Sequence, residues 1–188
     1  MQTKPNKSYL ITDSKLYPQN PKDFYAFYKA ILDKHPIDFA CYRQKECQPN
    51  PLLCEIFLTL NEQYKIPSLL NSYDDFALKY GFSGIHCNSK QLDKIKSFKS
   101  RFSYVFYSAH TLEEIYQADN CGANAVTISP IFAVKNKGKP LGVEFLEKLN
   151  PKNFKADIYA LGGIINATHL EQIIRTPIKN FASIRYFL

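Results

Sequence analysis

Eight short apolar segments, separated by longer segments of helical periodicity, limit the fold of this chain more than any other feature. The apolar segments are residues 8–12, 38–42, 67–71, 84–87, 104–108, 125–129, 157–162 and 181–185. Neighbouring parallel strands need a crossover connection between them, usually a helix. The alternation therefore predicts an α/β fold with a parallel sheet, which is either closed into a (β/α)₈ barrel or open and doubly wound.

The segment after the first predicted strand separates these two folds. A doubly wound dinucleotide-binding sheet carries a G-x-G-x-x-G turn at that point, but ITDSKLYPQNP contains no glycine. Asn20-Pro21 and Asn50-Pro51 indicate helix starts, because asparagine caps the first backbone N–H groups and proline has none to satisfy. We therefore predict a (β/α)₈ TIM barrel, with residues 1–188 forming a single domain.

The last predicted strand ends only three residues before Leu188, so we expect a barrel that is truncated after strand eight and has no final helix. The outer face of that strand is then left partly bare, or it is covered by the N-terminal segment or a neighbouring subunit. The apolar sequence RYFL at residues 185–188 favours cover. A homodimer that covers the face of strand eight is one expected solution.

Charge and cysteine content restrict the class of protein and of partner. The formal net charge is +7, which favours anionic partners without choosing among them. Five cysteines without a C-x-x-C pair argue against a disulfide framework or a zinc site, and they fit a cytoplasmic protein. The N-terminal apolar run, residues 9–11, is too short for a signal peptide or a membrane span, so we expect no membrane partner.

Cationic and small polar residues dominate the predicted carboxyl ends of the strands, where the functional groups of such barrels lie. They are Arg43 and Lys45 after strand two, Asn71 in strand three, Ser108 in strand five, Lys137 after strand six, Gly162 and Gly163 after strand seven, and Arg185 at strand eight. Two glycines before a helix let backbone N–H groups approach an anion closely. Together these residues predict a site for small-molecule phosphate esters.

The order of the motifs resembles the thiamine-phosphate synthase/TenI family over nearly the whole chain. The motifs are YLITD, CYRQK, LLNSYDDFAL, GIHC, YSAHTLEEIYQADNCGANAVTISPIF and ALGGI. Members of that family are (β/α)₈ barrels. The synthase joins a pyrimidine diphosphate to a thiazole phosphate and releases pyrophosphate with Mg²⁺. The resemblance therefore implies a transferase of thiamine biosynthesis, with catalytic roles for Arg43, Lys45 and Lys137.

The same resemblance makes Mg²⁺ the expected cofactor, but the chain departs from the family at both metal positions. Ser72 and Gln91 stand where the synthases have aspartates, so we expect weak metal binding and no metal-ligating residues. TenI proteins that act as thiazole tautomerases carry a histidine at the position of Pro130. The alternative function is a non-catalytic TenI-like barrel that binds a thiazole or thiamine phosphate in a regulatory role.

Nucleic-acid binding is a further alternative from another class of function. The segment KQLDKIKSFKSRF, residues 90–102, comes nearest to a basic surface with interleaved aromatic residues. Lysines on a solvated helix explain the same pattern, and we expect no nucleic-acid partner. Salt-sensitive gel shifts with generic DNA would support the alternative.

Overall fold

The computed structural model describes residues 6–135 and 137–188, and eight short strands form a closed barrel within them. The strands are β1 (Ser8–Ile11), β2 (Phe39–Tyr42), β3 (Ser68–Asn71), β4 (Gly84–Cys87), β5 (Tyr104–Ala109), β6 (Ala125–Ile128), β7 (Asp157–Leu161) and β8 (Asn180–Ser183). Each strand pairs in parallel with the next, and β8 closes on β1 with Tyr9 opposite Ala182. The predicted (β/α)₈ barrel is confirmed.

Helices connect the strands on the outside of the barrel. They are α1 (Pro21–Lys34), α2 (Pro51–Gln63), α3 (Asp74–Tyr80), α4 (Ile95–Phe98), α5 (Leu112–Asn120), α6 (Val143–Glu147) and α7 (Ala167–Ile174). A 3₁₀ helix, Ser89–Lys94, precedes α4, and a second one, Pro151–Asn153, precedes β7. Every helix therefore runs back across the outer face and allows the following strand to be parallel.

Side-chain caps begin several of the helices, as the sequence predicts. Asn20 Oδ1 accepts from the N–H groups of Lys22 and Asp23, and Asn50 Oδ1 accepts from Leu52 N. The two caps satisfy backbone donors that have no partner within the helix. A loop joins the carboxyl end of the preceding strand to the start of each helix, so loops form that end of the barrel.

The barrel interior is filled by large side chains that point inward from alternate strand positions. Tyr9, Phe106 and Tyr159 pack edge-on or tilted with ring centroids 5.0–6.0 Å apart. Each of them is at most 1% exposed, and Cys41 beside them is fully buried. The lumen is therefore a packed core and not a pore, which confines any ligand to the two ends of the barrel.

Bends and a turn, and no helix, follow β8 in residues 184–188, which lie within the described part of the chain. The ring of Phe187 stacks on the ring of Phe181 in β8, with centroids 5.7 Å apart. The ring of Tyr186 packs edge-on against Phe181, with centroids 5.2 Å apart. Phe181 and Phe187 are each 2% exposed. The last residues themselves cover this part of strand eight, a solution that the sequence interpretation had not included. The homodimer stays a prediction.

No helix within residues 6–135 and 137–188 combines the length and the apolar character that a bilayer span requires.

Candidate functional site

The carboxyl ends of the eight strands bring all the predicted site positions to one end of the barrel. Arg43 and Lys45 follow β2, Asn71 ends β3, Ser108 is the second-to-last residue of β5, Lys137 lies between β6 and α6, Gly162 and Gly163 follow β7, and Arg185 follows β8. Because all strands are parallel, these positions share the end that we call the mouth. The mouth residues come from six of the eight strand ends.

Backbone contacts join the loops after β6 and β7. The N–H of Phe132 donates to Gly162 O at 3.0 Å, and the N–H of Ile131 donates to Leu161 O at 2.9 Å. Gly163 has a φ of +72°, and a Cβ there would lie 2.8 Å from the carbonyl carbon and oxygen of Phe132. The position requires glycine on both counts, because an L side chain disfavours this φ and no space remains.

The loops after β7 and β8 are joined as well. Ser183 Oγ donates to Ile164 O at 2.8 Å and accepts from the N–H of Arg185 at 3.1 Å. Ser183 is 3% exposed, so these bonds lie in a buried setting where an unmade hydrogen bond is costly. One hydroxyl therefore connects the twin glycines to the segment that carries Arg185.

Arg43 lies at the mouth in an ion pair. Its Nη1 donates to Asp13 Oδ2 at 2.7 Å, and both side chains are only about a fifth exposed, 22% and 21%. The backbone N–H of Arg43 donates to Thr12 Oγ1 at 2.9 Å. Asp13 orients the guanidinium and offsets part of its charge, so Arg43 brings less net positive charge to an anion than its formal charge suggests.

Three further cations of the mouth are exposed to solvent. Lys45, Lys137 and Arg185 have no carboxylate partner within 4.0 Å among residues 6–135 and 137–188. Exposed lysine and arginine side chains lose little in changing rotamer, so they can turn toward a bound anion. Their charge is available to a ligand, in contrast with that of Arg43.

A buried histidine forms the floor of the mouth. His86 of β4 is 2% exposed, its Nδ1 lies 2.8 Å from Tyr9 Oη, and its Nε2 lies 2.9 Å from Ser108 Oγ. Burial, helped by the charge of Arg43, lowers the pKa of His86 to about 3. The imidazole is therefore neutral, with one nitrogen that donates and one that accepts. It fixes the position of Ser108, a predicted ligand contact.

His86 shows what the sequence interpretation missed. The sequence alone assigned no role to this residue. The signal was a single imidazole in the middle of the apolar segment GIHC. Asn71 is tied to the same strand, because its Nδ2 donates to His86 O at 3.0 Å. The ends of β3, β4 and β5 thus form one hydrogen-bonded unit.

The positions that the family resemblance assigns to Mg²⁺ are joined by hydrogen bonds with a third residue. Asn88 Nδ2 donates to Ser72 Oγ at 3.0 Å, Gln91 Nε2 donates to Ser72 O at 2.9 Å, and Asn88 N donates to Gln91 Oε1 at 3.1 Å. We call these three residues the Ser72 cluster. Gln91 is 8% exposed, so the cluster is partly buried.

The Ser72 cluster does not fit a divalent cation. Mg²⁺ takes oxygen ligands and favours carboxylates, whereas the cluster holds neutral side chains whose oxygens already accept hydrogen bonds. Within the described ranges, no group of three or more His, Cys, Asp or Glu side chains could hold a metal. The nearby Asp74 and Asp75 each face Arg101 at 3.5 Å. The side chains at this position therefore do not fit a catalytic metal.

Comparisons with known proteins agree with the geometry. The sequence profile of the family described as thiamine monophosphate synthase matches residues 8–187. A protein named putative thiamine-phosphate synthase 2, from Aquifex aeolicus, is 32% identical over 162 residues, which are 83% of this chain and 84% of that protein. The thiamine-phosphate synthase of Clostridium acetobutylicum is 28% identical over 184 residues, 95% of this chain and 85% of that protein.

A solved structure has the same fold. Thiamine phosphate pyrophosphorylase from Pyrococcus furiosus superposes with a TM-score of 0.79 at 21% identity, over 95% of this chain and 85% of that one. At this identity the structural match supports the barrel, while the sequence profile covers all eight strands. This chain belongs to the thiamine monophosphate synthase family.

Proposed function

We propose that the mouth binds phosphate esters of thiamine biosynthesis and that the chain is a transferase of the thiamine-phosphate synthase type. In that reaction a pyrimidine diphosphate loses pyrophosphate, which leaves with the bonding electron pair, and the thiazole phosphate supplies the pair for the new bond. The observation that supports the proposal is that Lys45, Lys137 and Arg185 follow strands at the same end of the barrel as the paired glycines.

The charges at the mouth match this chemistry. A departing diphosphate needs positive charge or hydrogen-bond donors close to its oxygens, because an unmatched anion is costly in a site with little water. Gly163 carries no side chain of its own, and the following helix α7 points its N-terminus toward the same end of the barrel. The phosphate of the thiazole would rest there, and the lysines would meet the diphosphate.

The buried floor positions the substrate and does not supply charge. The neutral His86 holds Ser108 Oγ at 2.9 Å, so this hydroxyl keeps one orientation toward the mouth. Fixed hydrogen-bonding groups lower the cost of orienting a substrate. Tyr9 Oη lies 2.8 Å from Nδ1 on the other side of the imidazole and helps to hold the ring in place.

The Ser72 cluster favours slow turnover, since no carboxylate holds a cation against the diphosphate. For the same reason a second function remains in view, in which the chain binds a thiazole or thiamine phosphate in a regulatory role without turnover. Both functions share ligand binding at the mouth. Formation of product separates them.

Two measurements test the proposal. Isothermal titration with thiamine monophosphate and with thiazole phosphate should give heat at a single site. An assay of thiamine monophosphate formation from both substrates, with MgCl₂ and with EDTA, then measures turnover. Lys137→Ala should lower turnover by about 100-fold, as for loss of an oxyanion-stabilising group. Lys139→Ala is the matched control in the same loop and should change turnover less than about 3-fold.

Either function requires binding. Absence of heat with both ligands would refute the mouth as a phosphate-ester site. Binding without product in either buffer would leave the regulatory function and exclude the transferase. An equal loss of turnover in Lys137→Ala and Lys139→Ala would show that general loop charge matters and that Lys137 has no specific role.

A further inference from the structure

The Ser72 cluster has the hydrogen-bonding character of an anion site, because the orientation of both amides is fixed by backbone donors. Asn88 Oδ1 accepts from Lys90 N at 2.9 Å, and Gln91 Oε1 accepts from Asn88 N at 3.1 Å. A backbone N–H can only donate, so these amide atoms must be oxygens. The opposite amide atoms are then nitrogens, and both donate to Ser72.

The direction of these bonds decides what Ser72 can offer to a ligand. Its Oγ accepts from Asn88 Nδ2 at 3.0 Å, and within residues 6–135 and 137–188 it donates to no atom. A hydroxyl that already accepts has its O–H available as a donor. Asn88 Nδ2 carries a second N–H as well, and Asn88 and Ser72 are both partly accessible. The outward groups of the cluster are therefore donors.

The backbone at Ser72 is held in an uncommon conformation that fits a specific role. Its φ is +71°, in the left-handed region that residues other than glycine seldom adopt. The N–H of Ser72 donates to His86 O at 3.0 Å, and Gln91 holds the carbonyl of Ser72 from the other side. Such strain persists where neighbouring bonds over-determine the position, and it concentrates at binding sites.

We propose that the Ser72 cluster binds a diphosphate oxygen directly, through the O–H of Ser72 and the second N–H of Asn88, so that diphosphate binding at this mouth needs no divalent cation. The inference rests on the proposed function, since it assigns the diphosphate end of the same site. The synthases have aspartates at the positions of Ser72 and Gln91. In this chain the cluster offers hydrogen-bond donors there, and these donors contact the diphosphate in place of a cation. Because the cluster is neutral, Lys45 and Lys137 supply the positive charge that balances the diphosphate.

Inorganic pyrophosphate is a suitable probe, because it is the diphosphate without the pyrimidine. Isothermal titration of the full chain is run in EDTA and in excess MgCl₂ at one ionic strength. We expect binding in EDTA to be at least as tight as in MgCl₂, because Mg²⁺ competes for the same oxygens. Ser72→Ala should weaken binding in EDTA by about 10-fold, the loss of one hydrogen bond to a charged group.

Two variants make the test specific. Ser72→Asp places a carboxylate at the same position, so it should weaken pyrophosphate binding in EDTA more than Ser72→Ala does, and MgCl₂ should restore part of the loss. Ser100→Ala removes an exposed hydroxyl that donates to Ser97 O at 2.8 Å, and it should leave pyrophosphate binding unchanged. Circular dichroism and the melting temperature establish that each variant is folded.

The outcomes distinguish this inference from the proposed function. Pyrophosphate binding that is more than about 10-fold tighter in MgCl₂, or unchanged in Ser72→Ala, overturns the inference while thiamine monophosphate binding can still stand. Pyrophosphate that fails to bind in either buffer also overturns it. Pyrophosphate binding in EDTA without binding of either thiamine-pathway ester supports the donor cluster and refutes the proposed function.

Discussion

Gly163→Ala is the substitution that tests the geometry of the mouth most sharply. The new Cβ would meet the carbonyl carbon and oxygen of Phe132 at 2.8 Å, and the backbone would keep a φ of +72°. The left-handed φ costs about 1–2 kcal/mol for an alanine, and forcing the adjacent loops apart costs about 1–3 kcal/mol more. We expect a loss of about 2–5 kcal/mol in the free energy of unfolding.

Two other glycines separate these two contributions. Gly81 has a φ of +76° with nothing within 4 Å of a Cβ, so Gly81→Ala should lose only the strain, about 1–2 kcal/mol. Gly138 has neither a positive φ nor a neighbour within 4 Å, so Gly138→Ala should stay within about 0.5 kcal/mol of the wild type.

Thermal unfolding of the three variants supplies the comparison. For a chain of this size about 3 °C corresponds to 1 kcal/mol, so the melting temperature should fall by about 6–15 °C in Gly163→Ala and by about 3–6 °C in Gly81→Ala. Equal melting temperatures for these two variants would refute the close approach of the loops after β6 and β7.

Two further predictions concern the C-terminal residues and the buried histidine. Phe187→Ala should lower the free energy of unfolding by about 3–5 kcal/mol in urea titrations, because its ring fills the outer face of β8, and Leu188→Ala, at an exposed residue, should change it by less than about 0.5 kcal/mol. Equal effects would contradict this packing. His86 has a folded pKa of about 3 against 6.5 unfolded. The free energy of unfolding is therefore highest above pH 6.5 and falls as the pH drops toward 3, because only the unfolded state takes up the proton in that range. The wild type should lose about 2 kcal/mol more than His86→Gln between about pH 7 and pH 5, and equal losses would contradict a buried neutral imidazole.

The fold was predictable because each strand and each helix start has a local signal. Seven of the eight apolar segments differ from the observed strands by one or two residues at their ends, and the segment 84–87 coincides with β4. The N-caps at Asn20 and Asn50 follow from a pairing of residue types that satisfies the first turn of a helix. The absence of a G-x-G-x-x-G turn after the first strand favoured the closed barrel over the open, doubly wound sheet.

The arrangement of the site was predictable only in part. Parallel strands bring their carboxyl ends together, so the sequence alone predicts that the site residues lie at one end of the barrel, without any information on side-chain contacts. The Asp13–Arg43 ion pair, the bond of His86 to Tyr9 and the bond of Asn88 to Ser72 join side chains 16 to 77 residues apart in sequence, which no local pattern encodes. The same limit applies to residues 184–188, where the ring of Phe187 stacks on Phe181 and covers part of the outer face of β8.

The central claim is that one end of this barrel holds a phosphate ester between the twin glycines and the basic loops. A crystal grown in EDTA and soaked with thiamine monophosphate tests it most directly, because the electron density locates the phosphorus. We predict phosphate density at the mouth, within hydrogen-bond distance of the Gly163 N–H. Density at the amino ends of the strands, or no density at the mouth at saturating ligand, would contradict the claim.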